Sequence, residues 1–230
     1  MKKIVIALLA LVSIIYCQPQ LEQYFQDITG TIVVYDPQAE NYTIINDQRA
    51  TTRFSPHSTF KIPNSIIALE TGVVTNCFDI IRWDEGRYPR EDRWPAQWGG
   101  EHNLKTAIKF SVVPVYRHLA NQIGEQRMNT FVEAFNYGNQ DISSSLDAFW
   151  LGGSIKISAW EQIGFLEKFY NYDLPVSSGT IDSVKSILIQ ESTDDYALSF
   201  KTGGGYLSEE RRIAIGWLVG YVERQDGIYY

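Results

Sequence analysis

The spacing of apolar residues changes character several times along this chain, and each change predicts an element. An apolar run over residues 4–15, interrupted only by Ser13, follows Met1-Lys2-Lys3. It is too short to span a bilayer comfortably, and a charged start before an apolar run is the pattern of a secretory signal. Residues 1–19 are therefore expected to be removed, with the cut near residues 17–20 and lipid attachment at Cys17 weakly indicated, and the mature chain is expected in a periplasmic or extracellular compartment. A short polar helix is expected over 21–26. Residues 29–35 and 42–45 flank the turn-rich Asp36-Pro37-Gln38-Ala39-Glu40-Asn41, which predicts a β-hairpin.

The period then lengthens. Phe54-Ser55-Pro56-His57 leads into a helix over 58–69, ended by Thr71-Gly72, with Pro63 where a first turn leaves amides unpaired. Residues 104–169 read as helices with loops. Ser158 and Glu161 have capping-box spacing ahead of Ile163, Phe165, Leu166 and Phe169. Helices are expected to continue to residue 190, after which 197–201 and 213–223 are strand-like. Strands, then helices, then strands predict an α+β architecture: an antiparallel sheet built from N- and C-terminal strands, packed with helices, beside a mostly helical lobe. No repeat or linker divides residues 20–230, so they are expected to form one domain. Gln225-Asp226-Gly227 is a hairpin signal, and a partner for 213–223 needs roughly eight or more residues. The last strand is thus expected to continue beyond Tyr230, leaving the domain short of its C-terminal strand and helix.

Composition narrows the function. With 44% hydrophobic and 13% aromatic residues the chain forms a core rather than a disordered tail. Loss of Lys2 and Lys3 with the signal takes the formal charge from −7 to about −9, which disfavours a nucleic-acid partner or an anionic membrane surface. If Cys17 leaves, Cys77 is the only thiol and no internal disulfide forms. His57, His102 and His118 lack H-E-x-x-H spacing and no cysteine pair is present, so no metal site is expected.

Ser58-Thr59-Phe60-Lys61, followed far downstream by Lys201-Thr202-Gly203, carries the chemistry. A chain this long holds roughly one accidental S-x-x-K, but only about one in twenty such chains holds an accidental K-T-G. On a helix Lys61 shares a face with Ser58, and an amine buried beside Ile62, Ile66 and Ile67 loses its proton more readily. Such an amine is able to act as a base or to react with carbon dioxide. Ser58 alone is equally a helix cap, and its own amide is one of the free donors at a helix start. Ser111-Val112-Val113 taken singly is plain core, Tyr137-Gly138-Asn139 an ordinary helix end, and Lys201-Thr202-Gly203-Gly204 a cationic strand edge where glycine admits close approach. His57 neighbours Ser58, but sequence neighbours on a helix diverge, and no G-x-S-x-G surrounds the serine.

Class A β-lactamases carry S-D-N as their middle element, and this chain lacks it. Ser58-Thr59-Phe60-Lys61-Ile62-Pro63-Asn64, Ser111-Val112-Val113, Tyr137-Gly138-Asn139, Phe149-Trp150-Leu151-Gly152-Gly153-Ser154-Ile155-Lys156-Ile157-Ser158 and Gly216-Trp217-Leu218-Val219-Gly220 instead resemble the class D β-lactamases, the oxacillinases. The resemblance runs over about residues 26–230. It implies a penicillin-binding-protein transpeptidase-like fold and hydrolysis of penicillins through a serine acyl-enzyme. Ser58 would be acylated by the β-lactam. Lys61 would be an N-carboxylated general base, with a carbon dioxide-derived carbamate and no other cofactor. Val113 and Trp150 would shelter that carbamate, and Ser111 would relay a proton with help from Lys201. The amides of Ser58 and Gly204 would form an oxyanion hole. Thr202 and Lys201 would hold the substrate carboxylate, with Gly203, Tyr137 and Asn139 also lining the substrate. The arginine that class D enzymes use for that carboxylate would lie beyond Tyr230; Arg211 and Arg212 read as loop residues rather than substitutes. Two other readings remain: a penicillin-sensing module that is acylated but turns over slowly, and an inactive relic.

Overall fold

The structure, a computed structural model, describes residues 23–25, 28–207 and 213–230. The expected signal segment, Cys17, Arg211 and Arg212 lie outside the described residues. Residues Gln23–Phe25 form one 3-10 turn in place of the expected polar helix. The N-terminal hairpin pairs β1 (Ile32–Asp36) with β2 (Asn41–Ile45), from Ile32 opposite Ile45 to Asp36 opposite Asn41. Asp36 makes its turn by accepting from the amides of Gln38 and Ala39 at 3.0 and 3.1 Å.

Seven helices follow among the described residues. The first, α1 (Asp47–Thr51), is capped by the Asn46 side chain and is too short to show a period in the sequence. The expected helix over 58–69 divides into a 3-10 turn (His57–Phe60) and α2 (Lys61–Glu70), ended at Thr71 with Gly72 at φ +69°. Pro56 and a left-handed His57, at φ +48°, tighten the entry, so Ser58 lies in the 3-10 turn rather than in α2. α3 (Leu104–Lys109), α4 (Val113–Ile123) and α5 (Glu125–Ala134) make the helical lobe. α6 (Ala159–Tyr170) carries the reciprocal Ser158–Glu161 capping box read from the sequence, and α7 (Ser178–Leu188) completes the set.

The chain from residue 189 is strand, not helix as expected: β3 (Ile189–Ser192) pairs with β4 (Tyr196–Tyr206). Its residues are exposed and lack strand periodicity; pairing to β4 imposes the conformation that local pattern does not. β5 (Ala214–Arg224) and β6 (Gly227–Tyr229) complete a four-stranded antiparallel sheet of order β3-β4-β5-β6. β1 and β2 form a separate two-stranded ladder, joined to the C-terminal strands by the backbone pair Tyr35–Tyr230, at 3.0 and 3.1 Å. The two ends of the chain thus meet, through one residue pair rather than a continuous ladder. An apolar cavity of about 620 Å³, lined by Ile32, Val34, Ile163, Leu166 and Val219 among others, separates β1 from β5; Ser58, Lys61 and Lys201 do not line it.

The core gathers around α2, which is buried on nearly every side and packs against α4 and α7. Phe60, at its entry, is fully buried between Trp150, stacked at 5.5 Å, and the edges of Phe149 and Tyr137 at 4.9 and 5.5 Å. Truncating such a ring leaves a cavity that a close-packed interior does not refill. Phe60→Ala is expected to lower unfolding free energy by about 3–5 kcal/mol, measured as a fall in the urea midpoint at unchanged slope.

Candidate active site

The turn His57–Phe60 runs directly into α2, which puts Ser58 and Lys61 one above the other. Lys61 Nζ donates to Ser58 Oγ at 2.8 Å. The Lys61 side chain has no solvent exposure, whereas Ser58 is half-buried. Burial holds the Lys61 amine far below the ordinary lysine range, and the cation of Lys201 pushes it the same way. No carboxylate pairs with it among the described residues. The face of Tyr116 stands 5.3 Å from Nζ, and the Tyr116 hydroxyl meets Ser65 Oγ at 2.9 Å, while Ser65 Oγ donates to the Lys61 carbonyl at 2.7 Å. Ser65 is thus satisfied within the helix packing, and the lysine nitrogen is left with an alcohol oxygen as its hydrogen-bond partner.

Val113 is the first residue of α4, one turn before Tyr116 and on the same face. Trp150 is fully buried against Phe60, its carbonyl accepting from Ser55 Oγ at 2.9 Å, and its indole Nε1 has no partner. A buried donor left open in this way is uncommon in a folded interior. Ser111 precedes α4 at φ +57°, half-buried, its hydroxyl making no hydrogen bond among the described residues. Trp98, which the sequence did not single out, ties the long loop before α3 to this point by donating from Nε1 to the Phe110 carbonyl at 2.9 Å.

β4 closes the other side. Lys201 is 5% exposed and donates to the Thr202 carbonyl at 2.9 Å. Its pKa falls to about 8 through desolvation, so it remains charged at neutral pH. Gly203 touches the nucleophile turn: a Cβ there would lie 2.8 Å from the Pro56 carbonyl and 3.2 Å from the Thr59 nitrogen. Gly204 faces open space and is exposed, as is Thr202. The strand therefore presents alternate residues to the turn and to the exposed side, as its pleat requires.

Two residues expected to line the substrate do not fit that place. Tyr137 is fully buried, its hydroxyl donating to Gln162 Oε1 at 3.4 Å, and Gln162 Nε2 donates to Thr59 Oγ1 at 3.0 Å. It supports the nucleophile turn from beneath. Asn139 spends its amide on the neighbouring loop, donating to the Ser154 carbonyl at 2.9 Å and accepting from the Lys156 amide at 2.8 Å. Between them Gly138, at φ +57°, has its Cα so near the Lys156 carbonyl that a Cβ would lie 2.0 Å away. The Tyr-Gly-Asn motif is a brace for residues 154–157. Gln162 and Tyr116, also unforeseen, carry no motif; only their helix positions relative to Thr59 and Lys61 reveal them.

The sequence profile of the penicillin-binding protein transpeptidase domain matches residues 30–230. Beta-lactamase OXA-48 of Klebsiella pneumoniae is 44% identical over 201 residues, covering 87% of this chain and 73% of that one. This chain belongs to the class D β-lactamase family. A crystal structure of the class D β-lactamase from Sebaldella termitidis superposes with a TM-score of 0.85 at 35% identity, over 92% of this chain and 83% of that one. The regulatory protein BlaR1 of Bacillus licheniformis is 33% identical over 88% of this chain but only 32% of its own length. Fold and family agree: the helical lobe and the antiparallel sheet meet at the Ser58 turn.

Two buried lysines whose native pKa values are depressed leave a thermodynamic mark. Between a native pKa of about 8 for Lys201 and the ordinary lysine value of 10.5, the unfolded chain holds more protons than the folded one, so stability rises with pH there. Lys201→Met is expected to flatten this rise, and Lys61→Met to raise the urea midpoint at pH 7, both read by equilibrium denaturation in carbonate-free buffer.

Proposed function

We propose that this protein hydrolyses β-lactam antibiotics through an acyl-enzyme on Ser58. The supporting observation is the Lys61 amine, fully buried 2.8 Å from Ser58 Oγ and pushed by that burial well below the ordinary lysine range. A neutral nitrogen at that distance accepts the hydroxyl proton as Oγ attacks the strained lactam carbonyl. The tetrahedral oxyanion then meets the amides of Ser58 and Gly204, and collapse breaks the C–N bond. The departing nitrogen takes a proton, for which the free Ser111 hydroxyl and the Lys201 ammonium are the relay. Lys201, charged at neutral pH, also attracts the substrate carboxylate, with Thr202 beside it. Release of the acyl group requires a base in the same position, to take a proton from the attacking water.

Lys61 also suits carboxylation. Carbon dioxide adds only to an unprotonated amine; Trp150 Nε1, a buried donor without a partner, and Val113, one turn before the Tyr116 whose ring faces Nζ, are the groups that would shelter the carbamate. When formed, the carbamate supplies an oxygen base matched to near-neutral pH. Export follows from the charged and apolar start of the chain and places the enzyme where such antibiotics enter.

The likeness to BlaR1, a regulatory protein, favours one second reading: a module acylated once and slow to release. Incubation with a chromogenic cephalosporin separates the two. Many turnovers per molecule are expected; a single stoichiometric burst supports the sensing module, and no acylation at Ser58 removes both. Lys61→Ala is expected to reduce turnover by about 10²–10⁴-fold, and bicarbonate to raise the wild-type rate. Unchanged rates in both experiments would exclude a base at Lys61.

A further inference from the structure

His57 precedes the nucleophile and takes no part in the chemistry above, yet it is built into the site at some cost. It is 5% exposed, its backbone is held at φ +48°, a conformation that branched and bulky residues avoid, and its Nε2 is buried without a partner. The ring lies directly on Gly205 of β4: a Cβ at that position would be 2.0 Å from Cε1, 2.4 Å from Nδ1 and 2.5 Å from Nε2. Two residues earlier on the same face, a Cβ at Gly203 would lie 2.8 Å from the Pro56 carbonyl. The turn and the strand edge therefore touch at two points, a backbone carbonyl against Gly203 and an imidazole against Gly205. The exposed Gly204, whose amide the proposed oxyanion hole requires, lies between them.

The titratable side chains around His57 are lysines, and no carboxylate is among them. Lys61 approaches from α2 and Lys156 from the loop braced by Asn139, and Lys201 lies on the same face of β4 as Gly205. Burial first, then Lys156 and Lys61, hold the imidazole below its ordinary range, and no carboxylate offsets them.

We infer that His57 is a positioning residue, a neutral imidazole spacer that fixes the separation of the Gly203–Gly205 edge from the Ser58 turn, and that protonating it displaces this edge. The functional consequence rests on the acyl-transfer reading of Ser58; the displacement does not. A charged ring buried here, with the Lys156 cation near it and no carboxylate to offset it, is relieved by moving toward water, and the strand lying on it moves too. Because the native imidazole holds its proton less readily than the unfolded one, native stability falls as pH drops from 6.5 toward the lowered value.

The test follows the amide resonances of Gly203, Gly204 and Gly205 and the imidazole signals of His57 by NMR between pH 4.5 and 8. The same pH series is run on His57→Phe, which keeps a ring without a titrating nitrogen, and on His57→Gln should that variant fold poorly. In the wild type the three glycine amides are expected to shift with the midpoint of His57, below 6.5, and to stay still in the variants. Static glycine amides through the imidazole titration, or a midpoint at or above 6.5, would overturn the inference. With a chromogenic cephalosporin, kcat/KM of the wild type should fall along the same midpoint and His57→Phe should lose that acid limb. His57→Ala should raise KM with a loss in kcat/KM of ~10-fold. An acid limb retained in His57→Phe would remove the kinetic role. Shifting glycines in a protein that neither turns over nor acylates would leave the spacer intact and refute the proposed function instead.

Discussion

A lysine nitrogen without access to water and without an anion beside it governs this molecule. Moving an ammonium group into an apolar interior costs so much that the group gives up its proton rather than remain charged. Lys61 is in that position because α2 buries nearly its whole circumference, and because the Ser65 and Tyr116 hydroxyls bond to each other and the Asn64 amide to the Tyr116 carbonyl rather than to the amine. The fold gives up stability here, as active sites commonly do, and recovers it through the aromatic packing at the entry of the helix. One desolvated nitrogen is held against one alcohol oxygen. Lys201 shows the contrast. It keeps a sliver of exposure and a backbone carbonyl, and its pKa falls only to about 8, so it stays charged at neutral pH. Two lysines with different degrees of burial thus differ in how readily they hold a proton.

The second constraint is the approach of β4 to the nucleophile turn. Gly203 and Gly205 lie on Pro56 and His57 with no room for a side chain, whereas Gly204 between them faces open space. The run of three glycines after Thr202 therefore answers to two needs. The outer two allow contact with the turn, and the middle one leaves the strand edge accessible from the other side. Support from below is polar as well as apolar: Tyr137, Gln162 and Thr59 form a buried chain of hydrogen bonds under Ser58. A rotation of the turn would break that chain, so the nucleophile is held from both sides.

What could be read from the sequence was whatever chemistry is local. Ser58 and Lys61 are three residues apart, the Ser158–Glu161 box closes within one helical turn, and Asp36 makes its turn with amides two and three residues on. The α+β order of elements and the resemblance to class D enzymes followed from motifs of that kind, and the comparisons bear out both. Misreadings arose where distant contacts decide. β3 is a strand because β4 pairs with it, although its own residues continue the helical pattern. α1 is five residues long and carries too little period to register. Tyr137 and Asn139 look like groups offered to a ligand until their partners, Gln162 on α6 and the carbonyl of Ser154, come into view. His57 was set aside because a neighbour on a helix points away from Ser58; the 3-10 turn and left-handed backbone aim it at Gly205 instead.

Ser55 explains how the sheet reaches the nucleophile. Its carbonyl accepts from Trp217 Nε1 of β5 at 2.9 Å, its hydroxyl donates to the Trp150 carbonyl at 2.9 Å, and the same oxygen accepts from the Gly152 amide at 2.9 Å. A strand, the loop that carries the orphaned indole, and the segment entering the turn therefore share one small polar residue, 5% exposed. Trp217 also borders the cavity between β1 and β5, where the edge of β5 is less supported than at its β4 side. The segment that enters the Ser58 turn is therefore tied to the sheet through Trp217 and to the Trp150 loop through the Ser55 hydroxyl, and the Pro56 carbonyl that follows it lies against Gly203.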